Sequence, residues 1–249
     1  MSILKNFVQY YYQLPWQLWG PIYRMVSVDF MNKYKFRAKN VGKNTYIDPS
    51  VRILGWRNVT IGDNTVISEN TWLNVNHRDD KNTKIDIGNN CHIGVRNFFS
   101  SGPHIILKDY CFTGIDCQFL GCGHRIDTPS IPYLESGLTL GESIEIGVNC
   151  WLTTSVTVLQ GVKIGRGSVI GGRSVVVKDI PPFSIAVGNP CRVTKRFDFK
   201  HGTWINIEDW YEELESFIPT EEDYLSDLIG KFPNGSLHLI SSGATFGWL

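Results

Sequence analysis

The chain has 249 residues; its 24 Lys and Arg are matched by 24 Asp and Glu, and 42% of its residues are hydrophobic. A zero net charge gives no general attraction for a phosphate backbone, which argues against nucleic-acid binding. The apolar fraction is enough for a sizeable core, yet no run of about 18 apolar residues is present to span a bilayer.

Residues 1–40 are rich in aromatic side chains, among them Tyr10, Tyr11, Trp16, Trp19 and Tyr23, and Pro15 and Pro21 divide them into short helical pieces. This segment is expected to cap the open end of the repeat that follows. The rival reading is peripheral membrane contact through interfacial Trp and Tyr. Met1 to Lys5 lead into no uninterrupted apolar stretch with a small-residue cleavage site, so no secretory signal is expected. The six cysteines show neither CxxC nor Cys/His metal spacing and read as reduced, small apolar residues. The expected compartment is therefore the cytoplasm, including the inner face of the membrane if residues 1–40 touch it.

From Val41 onward an aliphatic or aromatic residue recurs every six positions. The triplets are Val41, Ile47, Ile53; Ile61, Ile67, Leu73; Ile87, Ile93, Phe99; Leu107, Thr113, Phe119; Leu140, Ile146, Leu152; and Val158, Ile164, Ile170, with Val176 opening a further turn. Six is neither the helical period nor that of a plain strand. It fits a chain that runs flat for about four residues, turns through two, and repeats, so that each triplet makes one three-sided coil. Gly42, Gly62, Gly88, Gly94, Gly147, Gly165 and Gly171 follow repeat aliphatics and are expected at tight or positive-φ corners. Cys91, Cys111, Cys117 and Cys150 each stand four residues after a repeat residue, in a second inward slot that takes a small side chain. The coil is predicted over residues 41–196.

The period breaks at residues 54–60, which add two positions, and at two larger loops, 74–86 and 120–139. Loops leaving a rigid scaffold are where chemistry is usually placed. Residues 197–249 form an extension. There Thr220 and Asp223 resemble a capping box, with Leu225, Leu228, Ile229 and Phe232 on one helix face. Pro233-Asn234-Gly235 reads as a turn and 237–240 as a strand.

The stretch Leu140–Arg196 contains IG-x-x-x-W, LQGVKIG, VVVKDIPP and GNPCRV. In that combination it resembles the closing signature of the hexapeptide-repeat O-acetyltransferases, such as the galactoside, maltose and bacterial surface-polysaccharide enzymes. The resemblance, which covers about residues 41–196, implies a mainly β fold, a left-handed parallel β-helix; the helical cap of residues 1–40 and the helical extension of residues 197–249 are read from their own patterning. The resemblance also implies a homotrimer with acetyl-CoA in the groove between two subunits and no resident metal. The reaction it implies is transfer of acetyl to a hydroxyl of a sugar or glycan acceptor, in synthesis of capsule, O-antigen or exopolysaccharide.

That chemistry requires a base for the hydroxyl proton, a donor for the oxyanion and close placement of both substrates. Six histidines compete for the role of base. His124, in Leu120-Gly-Cys-Gly-His-Arg-Ile-Asp at the mouth of the longest loop, stands where the family carries its catalytic histidine. His77, in Asn-Val-Asn-His-Arg-Asp, is the second candidate, for acceptor contact, while His92 reads as structural. Asp116, Asp127, Glu135 or a backbone carbonyl are candidates to orient the base. By resemblance Asn97 contacts the acceptor, Trp151 packs beside the pantetheine arm, the Thr154 backbone N–H meets the thioester carbonyl, and Gly172 lines the channel. Val177 and Lys178 stand in place of a Thr-Lys pair near the cofactor, and Arg192 and Lys195 match residues that meet the 3′-phosphate of CoA. Thr153 and Arg173 stand where the family usually has Gly. Alternative acceptors are an amino sugar, serine or an antibiotic hydroxyl. A zinc carbonic anhydrase on the same helix needs three His ligands, and its close His pair is missing: His92 and His104 are twelve apart. A catalytically silent scaffold is the remaining alternative.

Overall fold

The computed structural model describes residues 40–77, 79–127 and 129–234. The chain divides into two units, Met1–Lys39 and Asn40–Leu249, and all described residues belong to the second. The helical pieces expected in residues 1–39 and the strand expected at 237–240 lie outside them.

The repeat folds as a left-handed parallel β-helix with three faces. Face I stacks Tyr46–Ile47, Val66–Ile67, His92–Ile93, Phe112–Thr113, Trp151–Leu152, Val169–Ile170 and Ser184–Val187. Face II stacks Arg52–Leu54, Trp72–Val75, Phe98–Ser101, Gln118–Leu120, Thr157–Leu159 and Val175–Val176. Face III stacks Val59–Ile61, Lys84–Ile87, His104–Leu107, Ile144–Ile146 and Lys163–Ile164, closed by a bridge to Ile180. Each coil hydrogen-bonds to the next, so identical slots stack in columns about 4.8 Å apart. Face I buries Ile47, Ile67, Ile93, Thr113, Leu152 and Ile170. Face II buries Ile53, Leu73, Phe99, Phe119, Val158 and Val176, with the two phenyl rings stacked at 4.4 Å. Face III buries Ile61, Ile87, Leu107, Ile146 and Ile164. Burying one such side chain contributes about 1.5–3 kcal/mol.

Two expectations are corrected. Leu140 is not a rung: it is 39% exposed at the end of the long loop, and Ile146 stacks on Leu107 instead. The later coils are therefore Ile146, Leu152, Val158 and Ile164, Ile170, Val176; a six-residue count cannot register a loop that returns out of phase. The corner glycines after the aliphatics do not have positive φ. A Cβ on Gly62 would lie 2.6 Å from the carbonyl carbon of Gly88, and one on Gly147 would lie 2.5 Å from the Arg166 nitrogen. These glycines let one coil's backbone reach the next. The left-handed corner residue falls two positions later: Asn44, Asn64, Asn90, Tyr110 and Asn149 between faces III and I, and Asn70, Arg96, Asp116, Ser155 and Arg173 between I and II. Asn tolerates this conformation better than most residues.

The second inward slot is small because it carries a donor. Thr45 and Thr65 hydroxyls donate to the Gly62 and Gly88 carbonyls at 2.6 and 2.8 Å. The Cys91, Cys111 and Cys150 thiols donate to Lys108, Gly147 and Gly165 carbonyls at 3.2 Å each, and Ser168 continues the column to Pro181 at 3.1 Å. Each side chain satisfies a corner carbonyl that strand pairing leaves open.

After Ser184–Val187 the chain turns back as Arg192–Asp198 and Thr203–Asn206, both antiparallel. Arg196 is buried there, paired with Glu215 and stacked 3.9 Å over Trp210. Helix α1, Glu221–Lys231, is capped by Thr220, whose hydroxyl accepts from the Asp223 N–H at 3.1 Å. Its inward face is Tyr224, Leu225 and Leu228, with Tyr224 edge-on to Phe183 at 4.9 Å; Ile229 and Phe232 stay exposed. Among the described residues no helix is long and apolar enough to cross a membrane.

Gly62→Ala should lower stability by about 1–3 kcal/mol through backbone overpacking. Asn64→Gly, at φ 54°, should lower it by no more than about 1 kcal/mol. Thermal unfolding followed by circular dichroism tests the ranking, and the reverse order would refute the close-approach account.

Candidate active site

The edge between faces II and III carries the insertions. On it, in order along the axis, are the 3-10 turn Trp56–Asn58, the loop 76–83, the Gly102-Pro103 corner and the long loop between Leu120 and Ile144. The long loop leaves through Gly121 and is tied at its root by an antiparallel pair, Gly123–His124 with Leu138–Thr139. The Cys122 thiol donates to the Thr139 carbonyl at 3.1 Å, and the Ser136 hydroxyl to the Arg125 carbonyl at 2.7 Å. Gly102 sits beneath both legs; a Cβ there would run into the Gly121 and Leu140 carbonyl oxygens. His124 is thus held, exposed, on a hydrogen-bonded hairpin root rather than on a free tip.

Of the candidates to orient His124, Asp116 is on the I–II edge, doubly bonded to Arg96 at 2.8 Å, and this pairing holds its carboxyl below the usual range. Asp127 pairs with Arg125 at 2.6 Å. Glu135 is exposed in the loop.

His77, in the loop two coils below, is half-buried, and its buried Nε2 has no hydrogen-bond partner among the described residues. Beside it Asn76 donates to the Ser100 hydroxyl and the Ser101 carbonyl at 2.9 and 2.8 Å and accepts from Asn74 at 2.6 Å. This polar chain was not singled out from sequence; its only sign there is the Asn-x-Asn spacing at the end of a repeat strand. Asn97 requires a correction. It is 1% exposed in an inward slot, and its amide donates to the Gly94 and Gly114 carbonyls at 2.9 and 2.8 Å, so it is a coil-to-coil clamp with no open surface for an acceptor.

The remaining candidates divide between two edges. Val177 and Lys178 lie exposed on the II–III edge, two coils beyond the His124 hairpin, with Gln160 between. Trp151 is 46% exposed on face I, stacked on Phe112 at 6.0 Å, and Thr154 and Gly172 follow on the I–II edge. The Thr154 N–H donates to no group among the described residues, while its carbonyl accepts from Arg173 N at 2.9 Å. Thr153, in the usual Gly place, turns its hydroxyl to the Ile170 carbonyl at 2.9 Å. Arg192 and Lys195 are exposed on the strand paired to the last rung of face I. In a single chain, therefore, His124 and the Trp151–Thr154–Gly172 group occupy different edges of the prism, with face II between them.

No cysteine is set up as a nucleophile. Burial pushes the Cys117 thiol up to about 11 and the Cys150 thiol up to about 12, and Cys111 and Cys122 upward as well. Among the described residues no group of three or more His, Cys, Asp or Glu is disposed to hold a metal ion.

No family model matches the sequence. The chain is 37% identical over 131 residues to SACOL2570 of Staphylococcus aureus (strain COL), an acetyltransferase by name only, the match taking in 53% of this chain and 64% of that protein. It is 34% identical over 128 residues to YJL218W of Saccharomyces cerevisiae, named in the same way, with 49% and 63% covered. The chain thus spans under two thirds of the length of these relatives. AntD, an N-acyltransferase from Bacillus cereus solved in complex with dTDP and 3-hydroxybutyryl-CoA, has a TM-score of 0.56, covering 66% of this chain and 86% of AntD at 20% identity. That likeness is one of fold. Coil and columns define a left-handed β-helix of the hexapeptide-repeat class. The curated relatives that the chain matches over part of their length carry the name acetyltransferase.

Raised thiol pKa values mean little thiolate below pH 9. Iodoacetamide at pH 8 should label half-buried Cys122 first, and Cys91, Cys111, Cys117 and Cys150 only on unfolding. Peptide mass spectrometry checks this; prompt native labelling of Cys117 would contradict it.

Proposed function

We propose that the chain transfers acetyl from acetyl-CoA to a hydroxyl of a sugar, with His124 as general base, at a site completed by a second copy of the chain. The carrying observation is the division of the candidate residues between the two edges that flank face II. Face II turns half-buried Leu54, Trp72, Phe98, Leu120, Leu159 and Val175 outward. The His124 loop adds Ile126 and Leu134, 77% and 81% exposed, which one chain leaves in water. In a three-fold assembly with face II toward the axis, the II–III edge of one copy meets the I–II edge of the next, and the ring closes. His124 then stands across a groove from Trp151, Thr154 and Gly172, along which the thioester arm lies. Arg192 and Lys195 take the 3′-phosphate, and Val177 and Lys178 border the cofactor.

In the reaction the acceptor hydroxyl oxygen attacks the thioester carbonyl carbon while its proton passes to a ring nitrogen of His124. The Thr154 N–H, which donates to no group among the described residues, donates to the oxyanion. Collapse breaks the carbon–sulfur bond, and the imidazolium returns the proton to the departing CoA sulfur. His77 and the Asn74–Asn76–Ser100 chain face the acceptor. An acceptor in bacterial surface polysaccharide fits this reading, and a cytoplasmic site would supply the acetyl-CoA.

His124→Ala should lower turnover of a hydroxyl acceptor about 10²–10⁴-fold and leave acetyl-CoA binding by calorimetry intact. A wild-type rate would remove His124 from the mechanism. An amino-sugar acceptor, which attacks as the neutral amine, should lose far less, so the size of the effect and the NMR position of the new acetyl separate the two acceptors. Leu159→Arg should shift the chain to monomer in sedimentation and abolish turnover, and an active monomer would overturn the shared groove.

A further inference from the structure

The proposed reaction leaves unassigned the wall directly next to Thr154 on the side toward the chain start. Strand register and ladder bonds fix what stands there. Val95, Ile115, Thr154 and Gly172 hold equivalent positions on the I–II edge of successive coils, following Gly94, Gly114, Thr153 and Gly171. The Ile115 carbonyl accepts from the Ser155 N–H at 2.7 Å, and the Val95 carbonyl from the Asp116 N–H at 3.0 Å. A Cβ on Gly114 would lie 3.0 Å from the Thr154 nitrogen. Ile115, 40% exposed, is therefore an aliphatic step one coil spacing, about 4.8 Å, from the proposed oxyanion donor.

Beside this step stand Arg96 and Asp116, the left-handed corner residues that follow Val95 and Ile115. The guanidinium Nε and Nη2 donate to the two carboxylate oxygens at 2.8 Å each, and the side chains are 54% and 42% exposed. Stability does not account for the pair. Exposed ion pairs contribute little, and a φ of 57° suits Arg96 less than the Asn that makes the same turn at Asn44, Asn64, Asn90 and Asn149. What the pair keeps is recognition chemistry. Its remaining guanidinium donors and the second lone pair of each carboxylate oxygen lie side by side in one planar fork. The two charges cancel, so the fork selects neither an anion nor a cation. It fits a neutral ligand with adjacent hydroxyls, each accepting from the guanidinium and donating to the carboxylate, while an apolar C–H face rests on Ile115. A pyranose ring offers both. Gly172, which lines the pantetheine channel in the proposed reaction, lies in the coil on the other side of Thr154, where the Arg173 N–H meets the Thr154 carbonyl at 2.9 Å. The acceptor is left the Ile115 side. Resting on the reading of Thr154 as oxyanion donor in a groove shared by two copies, we infer that Arg96 and Asp116 bind a vicinal diol of the acceptor over Ile115. The acceptor is then a neutral pyranose with two adjacent hydroxyls besides the one acetylated.

The test uses the full chain and the double variant Arg96→Asn/Asp116→Asn, Asn being suited to both corners, with folding confirmed by circular dichroism. A panel of methyl hexosides identifies the sugar acetylated fastest, and its monodeoxy analogues follow. The double variant should raise KM for that sugar about 10–100-fold, as for lost hydrogen bonds to charged groups, and leave kcat and the KM for acetyl-CoA unchanged. In the wild type, removing either hydroxyl of one adjacent pair should raise KM likewise; in the double variant the same removals should add nothing, because the interaction is already gone. A double variant with unchanged acceptor KM, or a wild type indifferent to every deoxy position except the acetylated one, would overturn the inference while leaving acetyl transfer by His124 intact. A wild-type rate in His124→Ala would remove that base and leave the deoxy coupling to decide for the pair. If no sugar is turned over, saturation-transfer NMR with the same methyl hexosides at saturating CoA decides. A sugar signal that the double variant loses supports the subsite; no signal in the wild type, or one that survives in the variant, refutes it.

Discussion

The structure depends on one constraint: every coil must hydrogen-bond to the next at strand spacing, at the corners as well as along the faces. That spacing forbids a Cβ at Gly62 and Gly147, whose backbones abut the following coil. It assigns the left-handed turn to Asn64 and Asn149 two residues on. It also opens one carbonyl per corner, which the Thr, Cys and Ser column closes. The cysteines follow from this geometry. They are donors of the right volume, and burial raises the Cys111 and Cys150 thiol pKa values away from reactivity.

A stack this regular is rigid, and rigidity gives an insertion a defined position. The His124 loop leaves between two rungs of face II and face III and is closed by its own short ladder. Gly102 exists to let both legs pass. The loop 76–83 leaves the same edge two coils lower and is latched by Asn58. The edge therefore carries a polar Asn–Ser chain and, two coils further, the His124 hairpin, while face I carries Trp151 and the basic strand, and the I–II edge carries a Thr154 N–H that donates to no group among the described residues. Between the two borders face II turns Leu54, Trp72, Phe98, Leu120, Leu159 and Val175 outward, interspersed with Arg52, Asn74, Ser100, Gln118 and Thr157.

Much of the coil was legible from residues alone. The six-residue recurrence placed Ile47, Ile67, Leu73, Phe99 and Phe119 in the core, and the Thr220 to Asp223 spacing located the start of α1. Even the weak member Thr113 proved fully buried, its hydroxyl accepting from the Gly94 N–H at 3.0 Å. The errors have different causes. Leu140 sits at a multiple of six from later rungs, yet the loop before it returns out of phase. Asn97 is matched to an acceptor-contacting residue by resemblance alone, but it follows the left-handed corner at Arg96 in an inward slot, where its amide clamps two coils.

What the sequence by itself determined is the repeat, the two interruptions and the identity of the side chains offered at them, because a period of six with small corner residues has one way to bury its aliphatics. Tertiary structure alone decided which offered residues meet. Columns are built from residues about twenty apart, so whether Asp116 lies near His124 or near Arg96 depends on which edge each corner reaches. That is set by the summed length of every strand and loop before it, a quantity no local pattern contains.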